Sequence, residues 1–172
     1  MASTGAAFLR TIRSTLNACI ALSYFPSMNV ERYTTPEVEY DRNKELLGRK
    51  IVIARTPKEK VLIEPSINSL RFSVTIRQND GLDTLLVDRF ASFLMTRADQ
   101  FQILRKKPVE GYDLSFLIMH RHLHDYDPRG VVDWICDFMK NIDKEVSEMK
   151  LGVNNRAREI ASQLLTSMYG RK

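Results

Sequence analysis

The amino-acid sequence predicts an α+β fold, a two-layer α/β sandwich with an antiparallel sheet and a long C-terminal helix. Short β-branched segments lie in the middle of the chain, whereas helical spacing of apolar residues marks its beginning, middle and end. The 172 residues are 44% hydrophobic and 27% charged, which suffices for one domain with its own core. Because no repeat or linker interrupts the chain, we expect a single domain over residues 1–172.

The first thirty residues predict an amphipathic helix. Their apolar residues recur at spacings of three and four: Phe8, Ile12, Leu16, Cys19 and Ile20. The same stretch contains no acidic residue, which is also typical of a mitochondrial transit peptide. A helix of the mature domain is the simpler interpretation, and the transit peptide stays open as an alternative.

Several short strands are predicted next. Residues 38–40 form at best an edge strand after a proline-marked loop, and residues 51–53, 61–63 and 70–77 are rich in β-branched side chains. In the last of these, apolar residues from Leu70 to Ile76 alternate with polar ones. We therefore expect a sheet with one buried face and one face in solvent.

A second helix and two further strands follow. Asn79 and Asp80 provide a helix cap, and an apolar stripe then continues to a helix end near Ala98. Residues 101–104 and 114–119 predict two strands, joined by a turn that contains Gly111.

The last element predicted is a helix over residues 128–169. Asp127 is a suitable N-cap, Pro128 suits the first helical position, and no further proline follows. The apolar stripe keeps its spacing past Gly152, although a glycine in a helix interior costs about 1 kcal/mol. We prefer one continuous helix and keep a two-helix alternative open.

This helix is longer than the domain that carries it. Forty-two residues span roughly 60 Å, whereas a compact chain of this size is only about 40 Å across. We expect the first half of the apolar stripe to lie in the core and the second half to be covered by a helix of a partner protein.

Few residues suggest chemistry. His120, His122 and His124 would share one face of a strand, as metal ligands could, but solvated loop residues are the simpler interpretation. Cys19 and Cys136 lie on apolar helix faces, where cysteine is usually inert. The sequence contains neither a glycine-rich phosphate loop nor a known hydrolase motif. We predict no catalytic residue, no metal and no cofactor.

The net charge of +5 suits an acidic partner. Three groups of basic residues stand out in the sequence, and each also has acidic neighbours. They are Arg55, Lys58 and Lys60; Arg105, Lys106 and Lys107; and Lys150, Arg156 and Arg158. A nucleic-acid surface would need a denser patch with exposed aromatic residues. An acidic protein surface fits these modest groups better.

Three ungapped segments resemble a known family. They are residues 58–69 (KEKVLIEPSINS), 103–118 (ILRKKPVEGYDLSFLI) and 142–158 (IDKEVSEMKLGVNNRAR). They are similar to signature segments of the 20 kDa subunits, subunit four, of the actin-related protein 2/3 complex. The resemblance implies a noncatalytic structural subunit in an assembly that nucleates branched actin filaments in the cytoplasm, at cortical actin patches or branched networks of the actin cytoskeleton.

The resemblance also implies partners and sites. The implied partners are subunit two, the two actin-related proteins, the other subunits of the complex and the mother actin filament. The C-terminal helix of subunit two would pack antiparallel on the C-terminal helix of this chain. The resemblance implies neither nucleic-acid binding nor membrane insertion. Lys150, Arg156 and Arg158 become candidates to face the filament. The candidates for the intersubunit helix seam are Ile135, Phe138, Ile142, Val146 and Met149.

Two other functions stay open. The basic charge and the acid-free N-terminus would also suit a nucleic-acid-binding domain, with or without import into an organelle. The three histidines alone would suit a metal-dependent enzyme.

Overall fold

The computed structural model describes residues 2–22, 35–40, 43–76, 78–96 and 103–169. Within these ranges ten elements follow one another, and they confirm the predicted α+β class. They are α1 (Ala2–Leu22), α2 (Glu37–Tyr40), a 3-10 turn (Lys44–Leu46), β1 (Ile51–Thr56), β2 (Glu59–Pro65), β3 (Ser69–Val74), α3 (Gly81–Thr96), β4 (Leu114–Met119), α4 (His120–Asp125) and α5 (Pro128–Tyr169).

The four strands form one antiparallel sheet in the order β1-β2-β3-β4. Its register aligns a row of apolar side chains across all four strands, in which Ile51 pairs with Ile63, Ile63 with Phe72 and Phe72 with Phe116. Side chains directly opposite each other on antiparallel strands point to the same face. This row therefore forms the floor of the main core.

Helices α1, α3 and α5 cover that face of the sheet. Helix α1 packs against both α5 and β1, and α3 packs against α5. The apolar face predicted for α1 is confirmed, because Ile12 and Leu16 are completely buried in the core. An ion pair between Arg13 and Asp133 joins the exposed sides of α1 and α5.

The alternation in residues 70–77 predicted that the opposite face of the sheet is in solvent. The structure corrects this, because part of that face is buried. Ser73 and Ser115 are buried there and share a hydrogen bond of 2.7 Å. Val38, Leu117 and Met119 form a second, small apolar cluster on this face. The face is polar along β3, yet the segments packed over it exclude water.

Residues 38–40 belong to the helix α2 and not to an edge strand, which corrects the prediction. Two side chains at the start of β3 accept hydrogen bonds from backbone N–H groups of α2. Asn68 Oδ1 accepts from the Glu37 N–H at 3.2 Å, and Ser69 Oγ accepts from the Val38 N–H at 3.4 Å. An N–H group that finds a side-chain acceptor has no need of a neighbouring strand. These contacts cross some thirty residues of sequence, so the local pattern could not show them.

Two strand boundaries also differ from expectation. Strand β3 ends at Val74, although Ile76 remains buried and its N–H donates to Asp113 Oδ2 at 2.7 Å. Arg77, the last residue of that predicted strand, and Ala98, the predicted end of the second helix, lie outside the described residues. Residues 101 and 102 of the predicted strand 101–104 also lie outside them, and Leu104 of the same strand forms only an isolated bridge to Phe116. The predicted cap of α3 is confirmed, since Asp80 Oδ1 accepts the Asp83 N–H at 2.9 Å.

Helix α5 is continuous from Pro128 to Tyr169, so the two-helix alternative is wrong. Asp127 caps it as predicted, because its Oδ2 accepts the N–H groups of Arg129 at 3.1 Å and Gly130 at 3.2 Å. A Cβ placed on Gly152 would meet no atom within 4 Å. No packing contact therefore requires glycine at that position.

Candidate functional site

Helix α5 has two parts with different surroundings. Between Val131 and Val146 one face is buried in the core, whereas every side chain from 151 to 163 is exposed. Large apolar side chains are among them: Leu151 is 61% exposed, Val153 46% and Ile160 50%. We call residues 151–169 the overhang, because the helix there has left the body of the domain.

The apolar face of the overhang continues the face that packs on the body. At about 100° per residue, Val153 lies on the same line along the helix as Ile135, and Ile160 is offset from it by only about 20°. Ile135 is completely buried, whereas Val153 and Ile160 are about half exposed. The first part of this apolar stripe is therefore covered by the chain's own sheet and helices. Its second part, on the overhang, is not covered by any of the described residues.

The five residues predicted for the intersubunit seam all lie in or beside the body. Ile135, Ile142 and Val146 are 0%, 4% and 5% exposed and belong to the main core. Phe138 and Met149 are partly buried and pack against that core. Helical spacing identified the correct face of α5, but spacing alone could not show where along the helix the body ends.

An aromatic group on the flank of α5 was missed by the sequence analysis. Trp134 is 40% exposed and stacks on Phe138 with ring centroids 5.5 Å apart. Both rings also meet Phe116 of β4 edge-on, at 5.8 Å and 5.3 Å. The only signal in the sequence was the i, i+4 spacing of two aromatic residues.

Lys150 lies at the point where α5 leaves the body, and it is held by two carboxylates of α3 and its cap. Its Nζ lies 2.9 Å from Asp83 Oδ1 and also contacts Asp80. The hydrogen bond from Lys150 lowers the pKa of both carboxyl groups, and hydrogen bonds to Asp80 and Asp83 raise the pKa of Lys150. We call Lys150, Asp80 and Asp83 the ionic clamp.

Arg156 and Arg158 are exposed on the overhang but point to different sides. Relative to Val153, Arg156 lies about 60° around the helix and Arg158 about 140°. Arg156 therefore borders the apolar stripe, whereas Arg158 faces away from it. Arg156 and Arg158 therefore lie on different sides of the helix, and Lys150 is engaged in the ionic clamp. The three residues predicted to face a filament do not form one surface.

The basic group around residue 106 lines an open groove of about 930 Å³. Its cations come from separate segments, and two are paired with carboxylates: Arg105 lies 2.6 Å from Glu39, and Arg71 lies 2.6 Å from Glu64. The groove has more basic than acidic side chains; it is lined by Glu39, Tyr40, Arg71, Arg105, Lys106, Lys107, Arg121 and Asp125, together with Leu104, Pro108 and Val109.

The three histidines do not form a metal site. They lie on helix α4 and not on a strand, so His120 and His124 stack with centroids 6.4 Å apart while His122 points inward. His122 is fully buried, and its Nδ1 accepts the Met119 N–H at 3.1 Å. Burial lowers the pKa of His122 to about 4. His122 is therefore a neutral core residue, which neither the metal nor the solvated-loop interpretation predicted.

The described ranges contain neither a cluster of metal-ligand side chains nor a cysteine with a lowered pKa. Among these residues, no three His, Cys, Asp or Glu side chains are grouped as metal ligands would be. Cys19 and Cys136 are buried, and burial raises the pKa of both thiols, which disfavours the reactive thiolate. Within the same ranges, no helix has the length and apolar character needed to cross a membrane.

Comparison with known proteins identifies the family. Residues 1–167 match the family model described as "ARP2/3 complex 20 kDa subunit (ARPC4)". The chain is 46% identical over 165 residues to the probable actin-related protein 2/3 complex subunit 4 of Caenorhabditis elegans and to subunit 4 of Dictyostelium discoideum, covering 96% of this chain and 98% of each relative. It is 44% identical over 159 residues to subunit 4 of Saccharomyces cerevisiae, covering 92% of this chain and 93% of that relative. The chain therefore belongs to the ARP2/3 complex 20 kDa subunit family, ARPC4.

Proposed function

We propose that this chain is a noncatalytic structural subunit of an actin-related protein 2/3 complex and that the overhang of α5 joins it to that complex. The observation that carries the proposal is the exposed half of one continuous apolar stripe, on a chain whose relatives are named as subunits of this complex. An apolar helical face of this kind favours a second helix packed along it. As part of the complex, the chain would act in the nucleation of branched actin networks in the cytoplasm.

The proposed seam begins where the body ends. Val153 and Ile160 form its centre, and Met149, partly buried against the core, links it to the body. The buried residues Ile135, Ile142 and Val146 support the same helix face from within the domain. Phe138 extends the apolar surface at the flank, where it stacks with the exposed Trp134.

The proposed partner on the seam is the C-terminal helix of subunit two, packed antiparallel. The remaining surface is left for the actin-related proteins and the other subunits. Helix α1 contributes Ile12 and Leu16 to the core, which supports a domain helix over the transit-peptide alternative. The pairing of Arg55 with Glu59 and of Arg105 with Glu39 weighs against the nucleic-acid alternative, because paired cations release fewer counterions on binding phosphate.

A substitution in the overhang tests the seam without disturbing the core. Val153→Asp places a charge on the apolar stripe, and we expect loss of co-purification with subunit two, since an uncompensated charge in an apolar interface is strongly unfavourable. Asn155→Asp is the matched control, because Asn155 is exposed and lies about 160° around the helix from Val153. Normal assembly of the Val153→Asp chain would refute the seam. Ile142→Asp is less informative, because Ile142 is buried in the chain's own core.

The proposed filament contact uses the basic side chains that point away from the seam. Arg158 meets this condition; Arg156 borders the seam, and Lys150 acts through the ionic clamp. An actin filament with an acidic surface would be attracted to Arg158 and to the basic groove around Lys106.

Charge reversal separates filament binding from assembly. In the assembled complex, Arg158→Glu should weaken co-sedimentation with filaments and reduce branching, more strongly at low salt. Lys144→Glu is the control, since Lys144 is also exposed but lies on the body half of the same helix, where it pairs with Glu148. If Arg158→Glu binds filaments as tightly as the control, the filament surface must be placed elsewhere.

A further inference from the structure

The tip of the β1–β2 hairpin carries a threonine that is followed by a proline. Thr56 ends β1, Pro57 and Lys58 form the turn, and Glu59 begins β2. Every residue from 54 to 58 is exposed. In the described part of the chain no side chain or backbone group engages the hydroxyl of Thr56. This hydroxyl is therefore accessible to an enzyme that modifies exposed loop tips.

The sequence contains one other threonine–proline pair, Thr35 and Pro36, and the structure holds it in place. Thr35 is half-buried, and its carbonyl accepts a hydrogen bond from Asn68 Nδ2 at 3.0 Å. The carbonyl of Pro36 accepts the Glu39 N–H at 3.1 Å. An enzyme could draw this segment into its active site only by breaking these hydrogen bonds. The two pairs are therefore alike in sequence but differ in accessibility.

The hairpin tip can open without unfolding the sheet. The register between β1 and β2 is shifted between Ala54 and Thr56, so Thr56 and Glu59 form the one strand pair beyond this irregularity. A bulge of this kind already disrupts the ladder locally. Extension of residues 54–58 along the cleft of an enzyme would break that one pair and leave the four pairs from Ile51 to Ala54 intact.

The surroundings of Thr56 suit an added phosphate. Thr56 and Glu59 lie directly opposite each other, so their side chains share a face of the hairpin. Arg55 Nη1 donates to Glu59 Oε1 at 3.1 Å, which brings the guanidinium group to the same place. A guanidinium group has five N–H donors, so Arg55 can bind a phosphate and Glu59 together. Lys58, exposed in the turn, supplies a second cation.

We propose that Thr56 is a phosphorylation site for a proline-directed protein kinase and that Arg55 binds the phosphate. Thr56 Oγ1 attacks the γ-phosphorus of ATP and forms a new O–P bond, the bond from that phosphorus to the β,γ-bridging oxygen breaks, and ADP leaves. The hydroxyl proton passes to a carboxylate of the kinase. Pro57 selects this class of kinase because it presents no backbone N–H after the acceptor. The site is independent of the function proposed for the overhang.

The phosphate would change the charge of the tip. Arg55, Lys58 and Lys60 are opposed there by the single carboxylate of Glu59, which gives a net charge of +2. A phosphothreonine carries about −1.5 to −2 at pH 7, so the modified tip is close to neutral. The first of the three basic groups in the sequence is thus the one that phosphorylation would neutralise.

Phosphorylation of the full-length chain tests the site. With ATP and a purified cyclin-dependent or mitogen-activated protein kinase, both proline-directed, mass spectrometry should find phosphate on Thr56. It should form there at least about tenfold faster than on Thr35, which must first lose its hydrogen bonds. Thr56→Ala should abolish this incorporation, Thr35→Ala should leave it unchanged, and Pro57→Ala should slow it at least about tenfold.

Three results would overturn the assignment of the site. They are no incorporation with either kinase, equal rates at the two threonines, and an unchanged rate in the Pro57→Ala chain. A synthetic peptide of residues 50–63 is the unfolded control. If the peptide is phosphorylated and the folded chain is not, the fold hides Thr56 and the proposal is wrong.

Phosphorus-31 NMR tests the role of Arg55. A nearby cation favours the dianion, so the second pKa of the phosphate in the folded chain should lie at least about 0.5 below its value in the phosphorylated peptide. Arg55→Gln should remove this difference, and so should Arg55→Gln combined with Glu59→Gln, which leaves no unpaired carboxylate. Lys60→Gln is the control, because Lys60 lies over the Tyr112 ring on the other face of the sheet. Equal titration of the wild-type and both Arg55→Gln chains would refute Arg55 as the phosphate ligand.

Discussion

Replacement of Gly152 by alanine tests whether the overhang is a marginally stable helix that a partner completes. Gly152 lies in the first turn beyond the body, and an added Cβ would contact nothing. Alanine therefore acts only through helix propensity, because it restricts the backbone in the unfolded state more than glycine does. The difference in a helix interior is about 1 kcal/mol, which corresponds to a factor of about five in the local opening equilibrium.

Hydrogen–deuterium exchange of the full-length chain measures this effect. Amides of residues 153–163 should exchange about fivefold more slowly in the Gly152→Ala chain, whereas amides of the sheet should be unchanged, since the overhang opens independently of the body. Ala157→Gly, on the exposed overhang, is the matched control and should accelerate the same amides by about the same factor. Unchanged overhang exchange, or equal slowing in the sheet, would contradict the idea of a separate, marginal helix.

Two further predictions concern the body. The pKa of buried His122 is about 4 in the folded chain and about 6.5 when unfolded, so the unfolded state binds the proton first and stability falls as the pH drops below about 6.5. Urea denaturation should show a loss of about 2 kcal/mol from this residue between pH 7 and pH 5; His122→Gln should remove this part of the pH dependence, and the exposed His124→Gln should not. Gly48→Ala should lower the free energy of unfolding by about 1–3 kcal/mol, because the new Cβ would lie 2.8 Å from Pro65 Cγ; an unchanged urea midpoint would mean that Pro65 moves aside without cost.

Local sequence signals predicted the main elements well. The N-cap at Asp127, the proline at 128 and the unbroken stripe gave the bounds of α5, and the Asn79–Asp80 cap gave the start of α3. The apolar alternation in β3 gave the face that carries Phe72. These signals work because capping, helical spacing and strand alternation depend only on residues close together in sequence.

The remaining features depend on contacts between distant residues. Lys150 and Asp80 are 70 positions apart, so the sequence could not show that this lysine is paired within its own chain. Asn68 accepts the Glu37 N–H from 31 positions away in the sequence, and this contact accompanies a helix where an edge strand was predicted. Glu59 lies next to a basic residue in the sequence, and only the packing of α1 and α5 reveals that one of its oxygens is enclosed.

The ionic clamp gives the overhang the geometry of a lever. Lys150 is fixed to α3 at the fulcrum, and the nineteen helical residues beyond it extend about 28 Å. A tilt of about 10° at the fulcrum would move the far end sideways by about 5 Å, roughly half the distance between the axes of two packed helices. The position of the far end of the overhang therefore depends on three charged groups at its base, whose attraction is screened by salt.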